Sequence, residues 1–295
     1  MSFRVTNETQ LAAAQRNLQA SQQKLSQLDV QATTGLQITL PSDDPTGTSN
    51  LLQIQQQLAQ NTQYQRNAQN GDGWLTTSSS TLSSVNTALT QLRDLTVQAA
   101  NTATNSPSSL TAISDQMQSI KQSLLSLANT QYLGRNVFAG TSDASSAFNA
   151  DYSFNGTAGA TVQRRVGPDT TVQVDTDGSS VFGSGANSVF ALIDTITGDI
   201  ASGTNVGSQL SSIDTFMSNV QGAEATVGAA QDQLQAASST LTTSATSLQT
   251  SQSNLKNVDT SQVLLEMQTQ QVAYQTALAV TAQSLQPTLM DYLNK

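Results

Sequence analysis

The chain has 295 residues, of which 37% are apolar and only 11% charged, and 11 Lys and Arg against 20 Asp and Glu leave a net charge of −9. It holds no cysteine, so neither a disulfide framework nor a thiolate metal site is possible, and no histidine, which removes the side chain most used as a general base and every nucleophile–histidine arrangement. The acidic balance without a long basic run argues against a nucleic-acid surface, and no segment approaches the roughly 18 apolar residues of a membrane span. The length suggests about two domains, and a remainder rich in Ser, Thr, Gln and Asn implies a thin core. The opening MSFRVTNETQLAAAQ lacks the apolar region of a signal peptide. The chain is therefore expected to be cytoplasmic, or exported by a route that leaves its N-terminus intact.

Asn7 and Gln10 make a capping-box-like entry to a first helix, whose apolar positions Leu11, Ala14, Leu18, Leu25, Leu28 and Ala32 fall in heptads, with Gly35 placed to end it. The loop Leu36 to Asp44 (LQITLPSDD) follows. Asp44 then serves as a cap and Pro45 as the first helical residue. A second heptad register (Ile54, Tyr64, Ala68, Leu75, Leu82, Val85, Leu89, Leu92, Ala99) survives Gly71 and Gly73, which predicts one helix, with a possible bend, from about Thr46 to Asn101. A third helix starts near Pro107 with Leu110, Ile113, Met117, Ile120, Leu124 and Leu127 alternating as a and d.

The texture changes at Gly134. Residues 136 to 185 are rich in Gly, Asp, Val and Thr, and the run Thr170 to Val174, the turn Asp175 to Gly178 and then SSVF predict a β-hairpin. A short amphipathic helix (Val189, Ile193, Ile196, Ile200) leads into a rod. There Ile213, Val220, Val227, Leu234, Leu241, Leu248 and Leu255 repeat every seven residues, accompanied by Phe216, Ala223, Ala230, Ala237, Ser244, Ser251 and Val258. The second row continues through Leu265, Val272 and Ala279, while the first turns polar at Gln262, Thr269 and Thr276, so the seam changes partner near Asp259. Held helical from Ile213 to Ala279, the rod would reach on the order of 100 Å.

The fold class expected is mainly α: a long antiparallel coiled-coil bundle formed by N- and C-terminal segments that must pack on each other to bury their stripes, with a small β insert. The expected domains are residues 1–40 with 259–295 as terminal assembly helices, disordered in a monomer; 41–133 with 204–258 as the helical rod; and 134–203 as the β-rich insert.

Chemical motifs are few. Asp43 and Asp44 have the composition of a cation site, but capping the next helix accounts for them without a metal. DTDG at Asp175 begins like a calcium loop and then departs from it, with Gly fourth and Ala186 twelfth. Gly183 and Gly185 are only a fragment of a dinucleotide fingerprint. Arg164 and Arg165 read as a solvated strand edge, and Trp74 as a core or interface anchor. An enzyme reading would have to rest on the scattered Asp151, Asp169, Asp175 and Asp177. The residues call for no cofactor and no metal.

The segment GLQITLPSDDPTGTSNLLQIQQQL (Gly35 to Leu58) resembles the loop and following helix of the flagellin-like hook-associated proteins. The start RVTNETQL, the run LGRNVFAGT (Leu133 to Thr141) and the final NVDTSQVLLEMQTQQVAYQTALAVTAQSLQPTLMDYL are similar to the same family, so the resemblance spans almost the whole chain. Gln37 stands where a basic residue is usual. The PSDDP form, the FAG run and the DYL ending favour the subunit at the junction of hook and filament over the alternative, a short flagellin. The resemblance implies a non-enzymatic, secreted component of the bacterial flagellum that passes unfolded through an export channel. It implies as partners copies of itself in a ring, a neighbouring hook-associated protein and flagellin, and an export chaperone on the C-terminal helix, with no nucleic acid and no membrane. The assembly residues it implies are Leu11, Leu18, Leu25 and Leu28, the loop pair Asp43 and Asp44, and Leu265, Val272, Ala279, Leu285 and Leu289.

Overall fold

The computed structural model describes residues 7–101, 106–157 and 159–293. Helix α1 (Asn7–Thr34) ends on Gly35, whose φ of +68° is the left-handed conformation a glycine tolerates after a helix. Helix α2 (Pro45–Ala100) runs 56 residues without a break, as its heptad register predicts. Gly71 survives inside it for a packing reason: a Cβ there would stand 3.0 Å from Val174 Cγ1 and 3.1 Å from Leu234 Cδ1. Helix α3 (Pro107–Ala128) starts as expected, with Pro107 in the first turn and the Ser106 side chain accepting from the Ser109 amide.

Two small antiparallel pairs follow, β1 (Gln131–Tyr132) with β2 (Arg135–Asn136) and β3 (Gln163–Arg165) with β4 (Thr171–Gln173). The expected hairpin is corrected here: β4 pairs with the segment before it, and residues 178–182 form a short helix, α4 (Gly178–Phe182). The cause is a competition for the Asp-Gly dipeptide. The Asp177 carboxylate accepts from the Ser179 amide at 2.9 Å and caps α4, which lets Val181 and Phe182 enter the core instead of facing a neighbouring strand.

Helix α5 (Val189–Ser202) buries Val189, Ile193, Ile196 and Ile200, the face its period predicts, and ends on the left-handed Gly203. It packs on α3, where Asp194 accepts from Lys121 Nζ at 2.6 Å and from the Tyr152 hydroxyl at 2.6 Å. Burial alone would raise the Asp194 pKa, but these hydrogen bonds outweigh it and hold the carboxyl below its usual value. Phe138, Phe148, Phe182 and Phe190 meet at ring separations of 5.4 to 6.0 Å and join the insert to α5.

Helix α6 (Leu210–Lys256) buries Ile213, Val220, Val227, Leu234 and Leu241, five successive positions of the seven-residue row. It lies antiparallel to α2: Arg93 Nε bonds Asp214 at 2.8 Å, and Asn61 Nδ2 donates to the Leu241 carbonyl at 3.0 Å. Helix α7 (Thr260–Leu293) then starts afresh. The chain divides into two compact units, Met1–Ala59 with Ala245–Lys295, and Gln60–Ser244. This differs from the three parts expected. The β segment shares one hydrophobic core with α2, α3, α5 and α6, so its residues join the larger unit, and the boundaries fall inside the two long helices rather than in the loops.

Candidate assembly surface

The smaller unit is organised around two helix breaks held side by side. After Gly35, residue 37 donates its amide to the Lys256 carbonyl at 2.7 Å, and the Val258 amide donates to the Gly35 carbonyl at 3.1 Å, closing a one-residue antiparallel bridge between Leu36 and Asn257. Helix α6 stops at this bridge. The Asp259 carboxylate then accepts from the Ser261 and Gln262 amides at 2.9 and 3.3 Å and starts α7. The sequence places the change of partner near Asp259, and that is where the rod is interrupted.

Beyond the bridge α1 and α7 run antiparallel and pack on each other. On α1 the more buried side chains are Ala14, Leu18, Ser21, Leu25, Leu28 and Ala32, and on α7 they are Val263, Met267, Gln270, Tyr274, Ala277 and Thr281. Both sets advance in alternating steps of four and three, the spacing of a coiled-coil seam. Leu28 (1% exposed) and Val263 are its fully buried members, and Gln270 Nε2 donates to Ser21 Oγ at 2.8 Å. Leu18, Leu25 and Leu28 therefore lie in the intrachain seam.

Leu265, Val272 and Ala279 do not. They occupy the other side of α7, where Leu265 is 66% and Val272 63% exposed, and Leu264, Leu278 and Val280 are exposed with them. Helix α7 thus carries two lengthwise rows, one against α1 and one open. Sequence reasoning missed the inner row because Gln270 and Thr281 break its hydrophobicity; the four–three spacing of Val263, Met267, Tyr274 and Ala277 was the available signal. The side chains of Leu11, Leu285 and Leu289, expected at the same surface, lie outside the described residues.

Asp43 and Asp44 take separate tasks. Asp44 accepts from the Gly47 amide at 2.8 Å and caps α2. A Cβ on Gly47 would fall on the Asp44 carboxylate and on Ile38, which explains a glycine in the first turn. Asp43 accepts from the Thr39 hydroxyl at 2.7 Å and from the Leu40 and Thr39 amides at 2.8 and 3.1 Å. These bonds, the hydroxyl's foremost, hold its pKa below the ordinary value. Among the described residues Gln37 meets no acidic partner; its carbonyl accepts from Gln31 Nε2.

The remaining chemical candidates are occupied structurally. Asp175 is buried and accepts from the Val162 amide at 2.8 Å, Asp151 accepts from Ser153, and Gly183 closes the end of α4 with a φ of +74°. Arg164 bonds Asn70 and lies over the ring of Trp74, and Trp74 is buried edge-on to Tyr132. Among the described residues no three His, Cys, Asp or Glu side chains cluster as metal ligands, and no helix is long and apolar enough to cross a membrane.

A family model of the bacterial flagellin N-terminal helical region matches residues 5–143, and one of the C-terminal helical region matches residues 210–293. The chain belongs to the flagellin-like family. It is 31% identical over 167 residues to flagellar hook-associated protein 3 of Salmonella typhimurium, covering 56% of this chain and 52% of that protein. It is 34% identical over 126 residues to Escherichia coli flagellin, covering 42% of this chain and 25% of that one. The chain therefore spans about half the length of the hook-associated relative and a quarter of the flagellin. Its fold resembles that of a Vibrio parahaemolyticus protein described provisionally as flagellar hook-associated (TM-score 0.68, 22% identity, 73% of this chain and 100% of that chain). It also resembles FlgL of Bacillus cereus (TM-score 0.59, 22% identity, 68% of this chain and 99% of that chain). At those identities the likeness is one of fold.

Proposed function

We propose that this flagellin-like chain is a structural, non-enzymatic subunit of the bacterial flagellum that forms the ring at the junction between hook and filament. The observation that carries the reading is the open row of α7. Leu265, Val272, Ala279 and Val280 expose apolar surface along one side of a helix whose other side is already engaged, and such surface on a flagellin-like terminal helix is suited to neighbouring subunits. Copies of the chain, a hook-associated neighbour and flagellin are the partners this implies. Before export the same row would need cover, which an export chaperone supplies by taking the helix into a groove. A chain without cysteines suits passage as an unfolded thread and folding outside the cell.

The test is placement. A fluorescently tagged copy restoring motility to a strain that lacks the gene should give one focus per flagellum at the hook's distal end. The second reading, a filament subunit, is favoured by the identity to flagellin over 126 residues. It predicts label along the whole filament. A functional tagged protein that is found nowhere on the hook or filament would overturn both.

A further inference from the structure

The chain holds two Asn-Gly dipeptides, Asn70–Gly71 and Asn155–Gly156. This is a labile setting for asparagine, because a glycine has no side chain to keep its amide nitrogen from attacking the neighbouring carboxamide. Asn70–Gly71 lies inside α2, where the helix ties each backbone N–H to the carbonyl four residues back and the Asn70 side-chain oxygen accepts from Arg164 Nε at 2.8 Å. Asn155–Gly156 lies outside any helix.

Both residues of that second dipeptide have a structural task. A Cβ at position 156 would run into the Phe154 ring, which packs on Phe148 at 5.1 Å. Asn155 and Asn149 pair through their side chains: Asn155 Nδ2 donates to Asn149 Oδ1 at 2.7 Å, and Asn149 Nδ2 donates to Asn155 Oδ1 at 2.9 Å. Asn155 Nδ2 also donates to the Ser146 carbonyl at 3.2 Å, and Asn149 Nδ2 to Ser153 Oγ at 2.9 Å. The half-buried Asn155 carboxamide is thus bonded at both ends, and it must break these bonds to swing onto the Gly156 nitrogen.

We propose that Asn155 is a deamidation site gated by folding: the pair with Asn149 closes it in the folded chain, and it reacts while the chain is unfolded. In the reaction the Gly156 amide nitrogen gives up its proton and bonds to Asn155 Cγ, the Cγ–Nδ2 bond breaks, and ammonia leaves. Water, the one co-reactant, then opens the cyclic imide at either carbonyl and leaves an aspartyl or an isoaspartyl link. Neither product rebuilds the pair. A carboxylate at this position has no hydrogen to donate and sets an oxygen against Asn149 Oδ1 and the Ser146 carbonyl. An isoaspartyl link lengthens the backbone just where the Asn155 amide bonds the Ala147 carbonyl at 2.8 Å. The site therefore records time spent unfolded, and a chain altered before it folds closes this loop less firmly.

The test follows both dipeptides by peptide mass spectrometry in full-length protein held at mildly alkaline pH, folded or in urea. In urea both should convert, and folding should slow each at least tenfold. In the folded chain Asn149→Ala should speed conversion at Asn155 at least fivefold and leave Asn70, the internal reference for global unfolding, unchanged. Asn149→Asp keeps the acceptor half of the pair; it should give a smaller rise, and it stands in if Asn149→Ala does not fold. Ser142→Ala loosens the same loop by removing the hydroxyl bond to the Asn155 carbonyl, but it spares the pair and should leave the rate alone. Asn155→Asp should lower the melting temperature at pH 7, with the loss shrinking in acid as the carboxyl gains a proton. The proposal is overturned by equal rates at Asn155 in folded and unfolded protein, by an Asn149 variant that folds and reacts no faster, or by Ser142→Ala accelerating the reaction as much as Asn149→Ala. None of these outcomes depends on where the protein sits on the cell.

Discussion

Asp43 and Asp44 are adjacent in one loop, Asp43 exposed and Asp44 half-buried, and only Asp44 serves a helix. Replacing Asp44 with Ala should cost about 1 kcal/mol, the usual worth of a lost cap, read as faster amide exchange at Gly47 and a lower melting temperature. Asp43→Ala removes three bonds inside the loop that joins α1 to α2; it should disturb filament growth while barely moving the melting temperature, and normal filaments and swimming with unchanged melting would mean that Asp43 has no part in assembly. Asp175 poses the opposite case. Burial raises its pKa, so the folded chain binds a proton more tightly than the unfolded one, and stability falls as pH rises from the ordinary carboxylate range through the raised value. Asp175→Asn keeps an acceptor for the Val162 amide without the buried charge. It should therefore melt higher than the parent at pH 7, with the difference vanishing in acid. The Asp44–Pro45 pair was legible in the sequence because a cap followed by proline is a local rule, whereas Asp175 lies in a motif that reads as a solvated turn, and nothing local announces that its carboxylate will be buried against the Val162 amide.

At the scale of elements, the helices were legible wherever a period ran long enough. The 56-residue α2 was readable through two glycines because the register of Leu75, Leu82, Leu89 and Val85, Leu92, Ala99 never slipped. The β segment was not, since strands of two and three residues carry no measurable period and Asp-Gly serves equally as a hairpin turn or a helix cap. For α7 the outer row was found and the inner row missed, which leaves a direct contrast to exploit. Leu234, 2% exposed in the α6 seam, should not tolerate Asp: an unpaired buried carboxylate costs several kcal/mol, and Leu234→Asp should abolish the cooperative melt. Leu265→Asp and Val272→Asp put the charge in water, so the melt should be unchanged while incorporation into flagella is lost. Equal damage from Leu265→Asp and Leu234→Asp in the isolated chain would show that the outer row of α7 also serves the chain's own fold.

Across the whole molecule, stability is expected to be distributed very unevenly between the two units. The larger one gathers nearly all of the fully buried side chains, Trp74 and four phenylalanines among them. The α1–α7 seam has little beyond Leu28 and Val263 at full burial, with Ser21, Gln270 and Thr281 among its inward positions. Ordering a residue's backbone costs roughly 1–2 kcal/mol, and two helices of 28 and 34 residues must meet that cost with a seam that is one polar residue in four. Such a pair belongs at the low end of the range of local opening free energies. In dilute full-length protein, amides before about Gln37 and after about Asp259 should therefore exchange within seconds, while those in residues 75–127 and 220–255 stay protected for hours. Assembly should reverse this, because a neighbour laid against Leu265 and Val272 adds the apolar burial that the seam lacks, and the helices are then held from both sides. Exchange compared between free protein and isolated hook–filament junctions measures it. Strong protection of both ends in the dilute monomer would mean that α1 and α7 are held by their own seam, and that subunit contacts are not what orders them.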